Sequence, residues 1–70
     1  MIDYIIITMD NCSYCDKAKE ELRQRNKTFK SLNIMDTPEL SALCVAAGHT
    51  TFPLILKVVG GYTEFLNQGE

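Results

Sequence analysis

Apolar residues in this chain gather into short runs, separated by charged helix-forming stretches and by turn formers. Residues 2–8 hold Ile5-Ile6-Ile7, a continuous β-branched run suited to a strand covered on both faces, and this predicts the central strand of a sheet. Met9-Asp10-Asn11 follows as a turn, with Asp10 or Asn11 placed to cap a helix. Along residues 13–26, Tyr14, Cys15, Ala18 and Leu22 recur at helical spacing while Lys17, Glu20, Glu21, Arg23, Gln24 and Arg25 cover the rest, so one narrow face is expected to be buried. Residues 28–34 put Phe29, Leu32 and Ile34 in an imperfect alternation, which predicts a short strand parallel to the first through the helical crossover.

Asp36 or Thr37 ahead of Pro38, with Glu39 next, is a helix start. In the helix that follows, Leu40, Leu43, Cys44 and Ala47 share a face, and Gly48 supplies the stop. Residues 54–59 form a further apolar run, entered through Thr51-Phe52-Pro53 and broken by Gly60-Gly61. Residues 62–68 carry Tyr62, Phe65 and Leu66 at helical spacing, a short amphipathic closing helix. With no internal repeat, linker or low-complexity tract, the expectation is one α/β domain over residues 1–70, a βαβ unit followed by a strand and a helix.

Composition narrows the function classes. A chain of 70 residues buries only about 60% of its unfolded surface, so its core has little margin. Nine acidic against seven basic side chains leave a net charge of −2, which provides no electrostatic footprint for nucleic acid or anionic lipid. No apolar run reaches the roughly 18 residues of a membrane span, and Asp3 interrupts the N-terminus where a signal peptide needs a positive flank. Three cysteines, an odd number, fit a reducing compartment better than a stapled secreted scaffold, and a cytoplasmic location is expected.

The chemistry lies in Cys12-Ser13-Tyr14-Cys15, two thiols separated by two residues at a strand-to-helix turn. Unpaired backbone N–H groups and the positive end of the helix dipole favour a thiolate there, most of all at Cys12. Cys15, about one turn further in, is placed to attack a mixed disulfide on Cys12 and to be covered by the fold. The pair reads as nucleophile and resolving thiol. A zinc site would need two more ligands, for which only Cys44 and His49 are available. Periodicity puts Cys44 in the core, and His49 beside Gly48 reads as a solvated loop residue. Lys17, Lys19 and Arg23 read as a solvated helix face with local glutamate pairing.

Three stretches in this order resemble the glutaredoxin family of the thioredoxin-like fold. Cys12-Ser13-Tyr14-Cys15 with Ala18-Lys19 is similar to the family's C-P-Y-C and the A-K after it. Thr51-Phe52-Pro53 is similar to its T-V-P, whose proline is cis, and Gly60-Gly61-Tyr62-Thr63-Glu64 is similar to its G-G-x-D-D. The resemblance implies a β-α-β-α-β-(β)-α order in three α/β/α layers. Because residues 53–60 are shorter than the family's β-hairpin, the fourth strand is expected to be shortened or missing.

The resemblance also implies a glutathione-dependent thiol-disulfide oxidoreductase that reduces protein disulfides and glutathione mixed disulfides. Cys12 and Cys15 would be catalytic, and Tyr14, Thr51, Phe52, Pro53, Gly61, Tyr62 and Thr63 would bind glutathione. Glutathione would be a co-substrate with no tightly bound cofactor and no metal. The protein would be a monomer acting on disulfide-containing proteins, ribonucleotide reductase among them.

Two departures bear on this. Met9 stands where the family often has a lysine, so thiol activation falls to the helix terminus, and Thr63 stands where an aspartate would hold the glutamyl group. They keep open an electron carrier fed by thioredoxin reductase. Ser13 keeps open a glutathione-ligated [2Fe-2S] protein, because family members with serine after the first cysteine resemble this chain.

Overall fold

A computed structural model describes residues 1–49 and 51–68. The order is β1 (Tyr4–Thr8), α1 (Ser13–Gln24), β2 (Phe29–Asn33), α2 (Leu40–Ala46), β3 (Leu54–Lys57) and α3 (Tyr62–Leu66). The sheet runs β2-β1-β3, with β1 parallel to β2 from Tyr4↔Phe29 to Thr8↔Asn33 and antiparallel to β3 from Tyr4↔Lys57 to Ile7↔Leu54. Parallel pairing of β1 and β2 requires a crossover, which α1 supplies. Among the described residues there is no fourth strand, and no helix is long and apolar enough to cross a membrane.

As its isoleucine run predicts, β1 is central: Ile6 and Ile7 are fully buried and Thr8 nearly so. Burying an isoleucine contributes about 1.5–3 kcal/mol, so these two side chains are a large part of a small core. Alternation sends them to opposite faces. Ile7 clusters with Cys44 of α2 and Leu54 of β3, and Ile34, Leu40, Phe52 and Leu56 pack around them. The other buried apolar residues include Cys15 and Leu22 of α1.

The helices end where the backbone turns left-handed. Asn26 has φ 58° and Gly48 has φ 68°. In each case a Schellman pair of bonds closes the last turn, Lys27 N–H to Leu22 O and Asn26 N–H to Arg23 O for α1, His49 N–H to Cys44 O and Gly48 N–H to Val45 O for α2. Thus α1 stops two residues short of the predicted 26. The Pro38 start is a tight turn rather than α-helix, with Leu40, Ser41 and Ala42 each donating to the residue three before it. β3 stops at Lys57 rather than 59 because its antiparallel partner β1 begins at Tyr4, and the last rung is Val58 N–H to Asp3 O at 2.8 Å.

Helical spacing overstated what is covered. Leu43 and Ala47 are exposed on α2, leaving Cys44 as its one buried residue. All of α3 is exposed, with Tyr62 at 76%, Phe65 at 60% and Leu66 at 59%, so the closing helix buries no face of its own. Five residues after a glycine break make barely more than one turn, too short to lay a stripe across the sheet. Tyr14 is likewise exposed on α1 rather than part of its buried face.

Asp3 fastens the start of the sheet. Its carboxylate accepts from the Thr28 N–H at 3.0 Å and the Thr28 hydroxyl at 3.2 Å, and its own N–H donates to Thr28 O. The Thr28 N–H holds the Asp3 carboxyl below its ordinary range against an opposing desolvation, helped by the Thr28 hydroxyl and by the charges of Lys27 and the N-terminus. A depressed folded pKa stabilises the fold above the unfolded value of about 3.9 and ceases to do so as pH falls through the lower folded value. Asp3→Asn is therefore expected to lower the urea midpoint at pH 7, with the gap to the parent closing on the acid side of that window. Cys44→Ser places a hydroxyl in the Ile7–Leu54 cluster and is expected to cost about 1–3 kcal/mol by equilibrium unfolding.

Candidate active site

Thr8, the last residue of β1, leads into a turn in which Asn11 is left-handed at φ 57°. Cys12 follows in extended conformation and is itself the N-cap of α1. Its Sγ accepts the Cys15 N–H at 3.1 Å, the bond that a serine or aspartate oxygen ordinarily makes at this position. Neither Asp10 nor Asn11 caps the helix, contrary to the reading of the sequence. Asp10 instead accepts from the Asn33 amide at 2.8 Å, and Asn33 Oδ1 accepts from the Met35 N–H, tying the turn to the end of β2.

Cys12 and Cys15 are joined as a disulfide, their Cα atoms 5.3 Å apart. Cys12 is half-buried and Cys15 is 2% exposed, so only the first sulfur is open to attack from outside. A disulfide sulfur is a weak acceptor and a thiolate a strong one. Reduction therefore strengthens the Cys15 N–H to Cys12 Sγ bond and favours the ionised form of Cys12.

Phe52 and Pro53 are half-buried beside this turn, and the Phe52 carbonyl oxygen lies 3.8 Å from Cys12 Sγ. With the sulfur oxidised this is a contact and not a hydrogen bond. The Phe52–Pro53 peptide is cis. Thr51 is exposed, its hydroxyl 3.2 Å from His49 Nε2. His49 is thus half-buried and bonded rather than simply solvated. Tyr14 projects from the first turn of α1 with the Lys17 ammonium 5.0 Å from its ring centroid.

Gly61, Tyr62 and Thr63 stand exposed at the start of α3. No hydrogen bond among the described residues joins them to the cysteine turn. The Gly61 N–H already donates to the Glu64 carboxylate at 2.8 Å. Gly60, at φ 106°, lets that carboxylate approach, since a Cβ there would fall 2.7 Å from Glu64 Oε1. The structure therefore brings Cys12, Cys15 and Phe52 together and leaves the double-glycine segment without a bond to them.

Cys44 lies in the Ile7 cluster as a free, buried thiol, and no group of three or more His, Cys, Asp or Glu side chains forms a metal cluster among the described residues. A cavity of about 600 Å³ opens beside the disulfide between the end of β1, the turn, the first two turns of α1 and Asn33. Lys19 lines it and is half-buried, unlike the solvated lysine expected from the sequence. Neither this lining nor the Asp10–Asn33 tie has a signal in the local sequence pattern.

In the reduced protein, Cys12 is expected to take up iodoacetamide first, with Cys15 and Cys44 protected. Peptide mass mapping after a short pulse checks this, and equal labelling of Cys44 would contradict its burial.

The sequence matches the family model described as Glutaredoxin over residues 4–61. Among solved structures it is similar to the solution structure of glutaredoxin from Brucella melitensis, at 34% identity and a TM-score of 0.63, covering 94% of this chain and 76% of that one. No curated protein sequence matches it.

Proposed function

Because the chain belongs to the glutaredoxin family, we propose that its cysteine pair works as a glutathione-dependent thiol-disulfide oxidoreductase, reducing protein disulfides and glutathione mixed disulfides. The observation that carries this reading is the asymmetry of the pair: Cys12 Sγ caps α1 and is accessible, while Cys15 sits covered one turn behind it.

The Cys12 thiolate attacks one sulfur of a substrate disulfide, forming a mixed disulfide and releasing the other sulfur as a thiolate. Cys15, as thiolate, then attacks Cys12 Sγ, expels the remaining substrate thiolate and closes the Cys12–Cys15 disulfide seen here. One glutathione thiolate reopens that bond at Cys12. A second removes the first as glutathione disulfide, so two electrons pass from two glutathiones to one substrate.

Supporting the choice of glutathione are the exposed aromatic ring of Tyr14, the Phe52 backbone next to Cys12 Sγ, the half-buried Pro53 beside it and the exposed Thr51, Gly61, Tyr62 and Thr63. An extended cysteine peptide can pair with backbone such as that of Phe52 as a single rung of strand addition. Against it stands one observation, the Gly61 N–H engaged by Glu64 in the segment where a glutathione carboxylate would bind. That engagement, with Met9 exposed before the thiols, favours a second reading in which thioredoxin reductase supplies the electrons.

Paired substitutions separate the two. Cys12→Ser is expected to abolish every exchange reaction, since nothing else can attack. Cys15→Ser is expected to retain release of glutathione from glutathionylated substrate, where a second glutathione resolves the adduct, and to lose most reduction of protein disulfides. A coupled assay with glutathione and its reductase measures both. A Cys15→Ser chain inactive toward glutathione mixed disulfides, with a parent turned over by thioredoxin reductase, would favour the second reading.

A further inference from the structure

The two thiols do not face the same electrostatic problem. Cys12 has the N-terminus of α1 to hold its charge. Cys15 is 2% exposed, and its own N–H is already given to Cys12 Sγ. Burial disfavours a thiolate, yet Cys15 must ionise before it can attack. A compensating group is needed, and the cavity beside the disulfide is where it can act.

Cys15 and Cys12 both line that cavity, together with the charged side chains Asp10, Asp16 and Lys19, and with polar Thr8 and Asn33. Lys19 is the single cation among the lining residues. It follows Cys15 by four positions on α1 and so lies on the same helix face. The ion pairs among the described residues are Arg23–Glu20 at 3.6 Å and Arg25–Glu21 at 2.9 Å, and Lys19 belongs to neither. Asp10 is engaged by Asn33, and Asp16 is exposed. Without Lys19, the charged side chains lining this cavity would be two carboxylates and no cation.

Building on the dithiol reading above, we propose that Lys19 is the positioning residue for the resolving step, its ammonium offsetting Asp10 and Asp16 so that Cys15 ionises near neutral pH. It acts through Cys15, so its removal moves the pH at which resolution occurs rather than abolishing attack by Cys12.

The test needs no glutathione and so stands apart from the choice of electron donor. Reduced protein is mixed by stopped flow with one equivalent of dithiobis(nitrobenzoate). Cys12 cleaves its S–S bond, releases one thionitrobenzoate and keeps the other as a mixed disulfide. Cys15 then attacks Cys12 Sγ and expels the second, and the two electrons lost by the dithiol appear in two coloured thiolates. The rate of the second release against pH reports the ionisation of Cys15.

Lys19→Met keeps the stem and is expected to raise the midpoint by about half a unit to one unit, with Lys19→Arg restoring the parent value. Asp16→Asn is expected to lower it. An unchanged midpoint in Lys19→Met, failure of Lys19→Arg to restore it, or a shift of the same sign in Lys19→Met and Asp16→Asn would overturn the proposal.

Discussion

Burial of β1 between two partner strands is the constraint from which the rest of the molecule follows. Its residues find ladder partners on both sides, and Ile6 and Ile7 fill the space above and below the sheet. A domain this small has few fully buried side chains, so moving either would expose much of what holds it together. The strand also aims the chemistry. Where its ladder ends at Thr8, the chain turns directly into Cys12, and the sulfur takes over as the first hydrogen-bond acceptor of the next element. Fold and reactive centre therefore share one stretch of backbone.

That sharing explains which parts of the structure could be read from the order of residues. A triple isoleucine, a charged stretch with a narrow apolar stripe, Pro38 before a helix and Gly48 after it are local signals, and the elements they predict are present. The capping role of Cys12 was not legible, because sulfur is not an ordinary cap and Asp10 and Asn11 stood closer to expectation. Periodicity also states which side chains share a face without stating whether anything lies against it. Hence Leu43, Phe65 and Leu66 fall on apolar faces by spacing and are nevertheless exposed. The Asp10–Asn33 bond joins positions 23 apart, and only the sheet register brings them together.

For the cysteine pair, which sulfur is open and which is covered could be read from their spacing alone, since position along the first helical turn fixes who is outside. The surroundings could not. Phe52 reaches Cys12 from 40 residues away through the approach to β3, and Lys19 looks from sequence like any other charge on a helix. Both depend on how the sheet and α1 meet.

With no fourth strand among the described residues, both outer strands of the sheet stand open. In a sheet ordered β2-β1-β3, two of three strands are edges, and each offers a row of backbone donors and acceptors to any passing chain. Long apolar edges polymerise. Here β3 is only four residues long, and it sets Lys57 beside the half-exposed Ile55; β2 likewise presents Lys30 and Ser31 to solvent. A lysine on an edge must be desolvated before a second sheet can add, which discourages stacking without any covering element. Short edges and two ammonium groups are thus what this sheet sets against edge-to-edge addition.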